Sequence, residues 1–223
     1  MLTVIEPAAD YQLLTPEELR VAAGLDPTDM TQDAALEVWG LQAATALASA
    51  CGLAKGGYDA SLLPLRGEAP LTLKAETVEQ TFRVRPGNQY RTLFLARWPV
   101  LAITSVTVDT SALTTGDFEV DIPRASLTRI SGNQTLYWPC GRVIVQYEAG
   151  YDDPVPSGLK GYAARLTGFY YQTQGSDPTE RRVEIPGVIT LERWVDQAAT
   201  DSLVPTDISS GLLRDGYRRR VLA

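Results

Sequence analysis

The chain has 223 residues, 44% of them apolar, a formal net charge of −7 and no histidine. That length supports one sizeable core, or a body with a smaller appended domain. Lack of histidine removes the usual general base of serine and cysteine hydrolases and the commonest nitrogen ligand for metals, and the acidic balance opposes wrapping nucleic acid with the whole surface.

No run approaches the roughly 18 to 20 consecutive apolar residues of a membrane span, and Met1-Leu2-Thr3-Val4-Ile5-Glu6-Pro7 lacks the basic start of a signal peptide. A soluble globular protein made in a cytoplasm is expected. Cys51 and Cys140 match no metal-ligand spacing and are read as reduced, small apolar residues.

Leu14-Thr15-Pro16-Glu17-Glu18-Leu19 is a helix start. Thr15 caps, Pro16 fits the first helical position, Glu18 completes a capping box and Leu14 staples onto Leu19. Gly24 stops this helix, and after Asp26-Pro27-Thr28-Asp29 a second one is predicted from about Gln32 to Ala50. Its core stripe is read as Val38, Leu41, Thr45 and Ala48. From Gly56 to about Pro70 the mixture of Gly, Pro and Leu has no period and reads as a connector.

The texture then becomes that of strands. Glu79 to Arg85, Arg91 to Arg97, Val100 to Asp109, Asp117 to Ile122, Ser126 to Ile130 and Arg142 to Glu148 are β-branched or aromatic runs. Pro86-Gly87-Asn88, Thr115-Gly116 and Ser131-Gly132-Asn133 separate them as turns. Short turns favour pairing in sequence order, so a small antiparallel sheet or barrel is expected between two helical parts.

Tyr147-Glu148-Ala149-Gly150-Tyr151-Asp152-Asp153-Pro154-Val155-Pro156 hands the chain back to a helix. Gly150 supplies a backbone conformation that L-residues avoid, and Pro154 and Pro156 stiffen the connection. Ser157 then caps a helix with Leu159, Ala163, Leu166 and Tyr170 on one face and Tyr162 and Phe169 beside it; Gly175-Ser176-Asp177-Pro178 ends it. Between Arg181 and Trp194, Pro186-Gly187 suggests a turn joining two short extended pieces. Thr206 is read as the cap of a last short helix carrying Ile208, Leu212, Leu213 and Tyr217. The fold class is therefore α+β, with domains at 1–70 (N-terminal helical part), 71–150 (β-rich insertion) and 151–223 (C-terminal helical part with a docking tail).

Candidate chemistry is sparse. Asp117, Glu119 and Asp121 share one strand face and could hold a hard cation, although alternation with apolar residues also describes a solvated outer face. Asp152 and Asp153 could divide acid and base roles, or simply solvate a turn. Asn133-Gln134-Thr135 reads as a polar turn. No phosphate-cradling glycine motif occurs. Arg214, Arg218, Arg219 and Arg220, opposed by Asp215, place a basic tip on an acidic body; it can dock on an acidic partner, or serve the dipole of a helix C-terminus.

Several pieces, taken in order, resemble the head-to-tail connector (adaptor, or head completion) proteins of long-tailed bacteriophages and gene transfer agents. They are the capped helix with Leu19, Gly24-Leu25 and Asp26; the Ala-rich stretch Asp33 to Cys51; Arg97-Trp98-Pro99-Val100-Leu101-Ala102-Ile103-Thr104-Ser105-Val106; Val145 to Tyr151 with Pro154, Pro156 and Leu159; and Leu212-Leu213-Arg214-Asp215-Gly216-Tyr217-Arg218. The resemblance implies a non-enzymatic virion structural protein, a helical body with a β insertion and no cofactor or metal. Copies would form a dodecameric ring under the portal protein, in the head-tail neck of a particle assembled in the host cytoplasm. The ring would extend a DNA channel without sequence-specific binding and without a membrane, and present a surface to the next neck or tail completion protein. Leu212, Leu213, Arg214, Tyr217, Arg218, Arg219 and Arg220 would reach the portal; Trp98, Pro99, Gly150, Tyr151, Pro154 and Pro156 would form the structural junction, and in such a ring a bulky β-branched residue at 150 would harm assembly more than folding. The competing readings are a bacterial β-rich binding module on a helical scaffold and a carboxylate-dependent hydrolase using Asp152 and Asp153.

Overall fold

The computed structural model describes residues 1–58, 69–173, 182–185, 189–192 and 204–218. The chain forms two compact units, each built from two separate segments: Met1–Tyr11 with Leu53–Val155, and Gln12–Gly52 with Pro156–Ala223.

The first unit is made of strands. In chain order they are β1 (Leu2–Glu6), β2 (Gly57–Tyr58), β3 (Glu76–Val84), β4 (Thr92–Phe94), β5 (Val100–Val108), β6 (Ser111–Ala112), β7 (Phe118–Asp121), β8 (Ser126–Ser131), β9 (Gln134–Leu136) and β10 (Gly141–Ala149). They form a six-stranded sheet, β2-β1-β3-β10-β5-β6, and a smaller one, β4-β8-β7, with β9 also on β8. Neither sheet closes, so the barrel alternative does not hold. Pairing in sequence order holds for β7, β8 and β9 but not for β3 and β4, because β10 inserts between β3 and β5. The reason lies in β10: Val143, Val145, Tyr147 and Ala149 are all buried, and such a strand is most stable at the centre of a sheet with a partner on each edge.

Alternation carries the core. Val78, Val84, Val143, Val145, Tyr147, Val100 and Val106 from the large sheet join Leu93, Leu127 and Trp138 from the region of the small one in a single apolar cluster. Complete burial of each Val or Leu stabilises the fold by about 1.5–3 kcal/mol. Four strands are absent from the sequence reading: β1, whose Val4 lies in this core, the short β9 that follows the Gly132 turn, and the two-residue β2 and β6. Cys140 is exposed rather than part of the core, whereas Cys51 is buried; both are free thiols.

The second unit is helical. Helix α1 (Pro16–Ala22) begins with the full capping box, Thr15 Oγ1 accepting the Glu18 N–H at 3.3 Å and Glu18 Oε2 accepting the Thr15 N–H at 2.8 Å. It ends at Gly24, whose φ of +77° suits the left-handed position of a Schellman turn; Leu25 N–H closes onto Arg20 O and Gly24 N–H onto Val21 O. Helix α2 (Asp33–Ala50) buries Leu36, Gly40, Ala43, Ala44 and Leu47, while Val38 and Leu41 are exposed. Of the stripe expected from the sequence, Ala48 is buried and Thr45 half-buried, so it is the N-terminal half, Val38 and Leu41, that faces the wrong way. The packing partner explains why: Leu19 sits where a Cβ on Gly40 would be, so α1 approaches α2 over its smallest residue.

Helix α3 (Ser157–Thr173) buries Leu159, Tyr162, Ala163 and Leu166, and Gly168 lies against the Ala22 carbonyl of α1. Ser157 is its first residue rather than its cap. Likewise helix α4 (Thr206–Arg214) has Pro205 at the capping position with no side-chain cap, and Thr206 is helical. The two extended pieces expected between Arg181 and Trp194 are β11 (Arg182–Ile185) and β12 (Ile189–Glu192), an antiparallel ribbon. Gly175-Ser176-Asp177-Pro178 lies outside the described residues.

Candidate functional site

Gly150 ends the central strand β10 with a φ of +125°. Its N–H donates to Pro99 O at 2.8 Å, and the next residue binds the segment before β3: Tyr151 N–H donates to Leu73 O at 2.7 Å and Ala75 N–H to Tyr151 O at 3.1 Å. A Cβ on Gly150 would overlap the Lys74 carbonyl and the Ala75 nitrogen. Glycine is needed here for both torsion and space. Trp98-Pro99 and Asp153-Pro154 are cis peptides beside this crossing, and Lys74 Nζ pairs with Asp153. Of the junction residues, Trp98, Pro99, Gly150, Tyr151 and Pro154 thus share the β unit. Pro156 belongs to the helical unit, where its carbonyl accepts the Lys160 N–H at 3.0 Å in the first turn of α3.

Beneath the junction lies a polar network that the sequence reading missed. Arg97 and Glu76 side chains, each 2% exposed, form an ion pair at 3.2 Å. Tyr147 Oη accepts the Arg97 N–H at 3.1 Å and donates to Gln80 Oε1 at 3.0 Å; the same Oε1 accepts the Ala96 N–H at 2.8 Å. Burial pushes the Glu76 carboxyl up to about 7, with Arg97 pulling in the opposite direction, and burial pushes the Tyr147 phenol up to about 12. Among the described residues, the other polar atoms of the Glu76 and Arg97 side chains have no hydrogen bond, so the pair depends on its own attraction. The available signal was Glu76 and Gln80 occupying the same alternation as Val78 and Val84.

The C-terminal segment divides into inward and outward residues. Leu212 is fully buried in the helical unit, and Gly211 lies against the Tyr162 ring. Tyr217 meets Tyr162 edge-on with centroids 6.4 Å apart, while Asp215 accepts the Tyr162 O–H at 2.6 Å and the Arg214 Nε–H at 3.0 Å. Both contacts hold the Asp215 carboxyl below its ordinary range. Leu213, Arg214 and Arg218 remain exposed. Arg219 and Arg220 lie outside the described residues.

Of the candidate acidic groups, Asp117, Asp121 and Asp153 bind neighbouring groups, whereas Glu119 and Asp152 are exposed. Asp117 accepts from the Thr114 N–H and Oγ1 at 2.8 and 2.7 Å, and these bonds lower its pKa. Asp121 accepts the Arg124 N–H at 3.1 Å. Among the described residues, no cluster of His, Cys, Asp or Glu is arranged to hold a metal ion, and no helix is long and apolar enough to cross a membrane. The Cys51 thiol is pushed up to about 12 by burial.

The fold so defined, an open two-sheet β unit and a helical unit each assembled from two chain segments, has counterparts among solved structures. It matches a chain in the neck of an empty gene transfer agent particle with C6 symmetry at 16% identity and a TM-score of 0.58, covering 100% of this chain and 97% of that one. Chains of the virion of a native gene transfer agent particle and of the neck of the native particle with C12 symmetry match with the same identity and coverage, at TM-scores of 0.57 and 0.51. The fold is therefore shared with neck and virion chains of gene transfer agents, in keeping with the connector resemblance in the sequence. No protein-family model and no curated protein matches the chain.

Proposed function

We propose that this chain is a structural protein of a particle neck, a head-to-tail adaptor that assembles as a ring against the portal protein and performs no catalysis. The observation that carries the proposal is the end-to-end correspondence of fold with chains from gene transfer agent particles, covering 100% of this chain and 97% of the other. The sequence chemistry favours the same reading. A chain without histidine, whose Asp117, Asp121 and Asp153 side chains bind their own turns and neighbours, is poorly equipped for acid-base work.

In this reading the portal-facing group is narrower than the full C-terminal list. Leu213, Arg214 and Arg218, with Arg219 and Arg220 beyond them, meet the portal, while Leu212 and Tyr217 hold α4 onto its own unit. The ring is dodecameric, it extends the DNA channel, its other side receives the next neck protein, and its place is the virion neck after assembly in the host cytoplasm. The acidic charge of the chain keeps passing DNA unbound.

The test is assembly. Purified portal protein and full-length chain are mixed, separated by size and imaged by electron microscopy. A ring of this chain on the portal is expected, with binding weakened by removal of residues 213–223. Failure of the two proteins to associate overturns the proposal.

A further inference from the structure

Strand register sorts the outer face of the large sheet into rows. Opposite the side that buries Val78, Val84, Val143 and Val145, β3 presents Thr77, Glu79, Thr81 and Arg83, and β10 presents Arg142, Ile144, Gln146 and Glu148. Pairing sets Arg83 against Arg142, Thr81 against Ile144, Glu79 against Gln146 and Thr77 against Glu148. Strand β5 extends the rows with Thr107 beside Ile144, Ser105 beside Gln146 and Ala102 beside Glu148, and β1 adds Glu6 beside Thr77. The face is therefore cationic at one end, anionic at the other, and uncharged at Thr81, Ile144 and Thr107 between them.

Neither end is neutralised within the sheet. Arg83 and Arg142 are exposed and directly opposite, an arrangement of like charges that costs a sheet stability. Arg85, also exposed, adds a third positive charge beyond Val84. Among the described residues no carboxylate pairs with any of the three; Asp109 Oδ1 accepts the backbone N–H of Arg142 at 2.8 Å rather than its guanidinium. At the other end Glu6 accepts from Thr77 Oγ1 and Glu79 from Gln146 Nε2, each at 3.1 Å and each from a neutral donor. Glu148 has no ion-pair partner among the described residues, and Lys74, which precedes β3, is taken up by Asp153. Arg142 and Glu148 are separated by about 20 Å of strand, and Arg83 and Glu79 by about 13 Å. Both spans exceed the screening length of about 8 Å at physiological ionic strength, so the two ends of one copy do not neutralise each other.

We infer that the Arg83, Arg85 and Arg142 end of one copy docks on the Glu6, Glu79 and Glu148 end of a second copy. Charge complementarity identifies the occupant: the carboxylates that the arginines lack are carried on the same face of the same unit, too far away to be met except in trans. Arginine suits the contact because its planar guanidinium can bond a carboxylate through two parallel N–H groups. Each copy offers one cationic and one anionic end, so the contact is heterologous and continues from copy to copy until it closes as a ring. The inference rests on the ring-forming role proposed above and names the contact between neighbours.

The test is charge reversal with rescue. Four samples of the full-length chain are assembled on portal protein and imaged: the parent, Arg83→Glu with Arg142→Glu, Glu79→Lys with Glu148→Lys, and an equimolar mixture of the two reversed chains. Parent and mixture are expected to form rings, while either reversed chain alone should show a ring fraction about tenfold lower. Reversed chains that form rings alone as well as the parent does overturn the inference and leave the adaptor reading standing. A mixture of normally melting chains that fails to recover also overturns it, because the two ends then serve different partners. Where a reversal lowers the melting temperature, Arg83→Gln with Arg142→Gln replaces it. Ring formation less sensitive to salt than the parent's then supports the contact, and an unchanged salt dependence overturns it. If the parent forms no ring, the adaptor reading fails, and sedimentation of the same four samples, concentrated at low salt without portal, decides the contact. Association of parent and mixture but of neither reversed chain supports it; any other pattern overturns it.

Discussion

Replacing Gly150 with valine tests the junction most directly. The side chain must occupy space held by the Lys74 carbonyl and the Ala75 nitrogen, which are backbone atoms fixed by the Tyr151 N–H to Leu73 O and Ala75 N–H to Tyr151 O bonds. Three costs bear on the outcome. A β-branched residue at φ +125° costs about 1–3 kcal/mol, and overlap in a packed site about 1–3 kcal/mol. If the crossing opens to relieve the overlap, the two hydrogen bonds forfeit about 1 kcal/mol each. Because opening relieves the overlap, the torsional strain adds either to the overlap or to the two lost bonds, and a loss of about 2–6 kcal/mol is expected, against the roughly 5–15 kcal/mol that stabilises a typical protein. Gly150→Ala should lose somewhat less, because alanine tolerates the torsion better than valine. Urea unfolding of the purified chain, followed by far-ultraviolet circular dichroism, measures both. The sequence reading expects damage mainly to assembly; the structure places the overlap inside the β unit, so folding suffers first. A Gly150→Val chain that unfolds within about 1 kcal/mol of the parent would refute the reasoning.

Other outcomes follow from the buried groups. Glu76→Ala leaves Arg97 as an unpaired buried cation and should cost about 3–5 kcal/mol by the same assay. Because burial raises the Glu76 carboxyl from 4.5 to about 7, the folded chain holds its proton where the unfolded chain has released it. Stability should therefore fall as pH rises from 4.5 to 7, and Glu76→Gln should flatten that part of the profile. Leu212→Ala should destabilise the helical unit by about 2–5 kcal/mol, while Leu213→Ala and Arg218→Ala should leave stability within about 0.5 kcal/mol and weaken portal binding instead. Thr15→Ala, tested by thermal melting, should cost about 0.5–2 kcal/mol through loss of the cap.

What the sequence revealed was local. The capping box at Thr15 and Glu18, the glycine stop at Gly24 and the alternation of Val143, Val145 and Tyr147 each depend on near neighbours, and each marks its element correctly. Pairing order does not: that β10 lies between β3 and β5 depends on contacts between residues far apart in the chain. The Glu76–Arg97–Tyr147 network was hidden for the same reason, since only the β3–β10 register brings Glu76 opposite Ala149. Helix α2 misled in another way. Leucine, valine and alanine occupy most of its sides, so its period does not single out one face, and the deciding feature is the close approach of Leu19 at Gly40. Of the C-terminal candidates, nothing in the pattern distinguished Leu212, which packs inward, from exposed Leu213.

The interleaving of the two units has a consequence for synthesis. The chain starts in the β unit, leaves it at Gln12, returns at Leu53 and leaves again at Pro156. A growing polypeptide that has emerged as far as Gly52 holds a strand without its sheet and two helices without α3. The strand must wait for β3 and the sheet for its central strand at Gly141–Ala149, so the β unit cannot be finished before Ala149 is made, nor the helical unit before α3. Early fragments expose apolar surface from both units at once. Truncations ending before Ala149 are accordingly expected to be chaperone clients or aggregates rather than smaller folded domains.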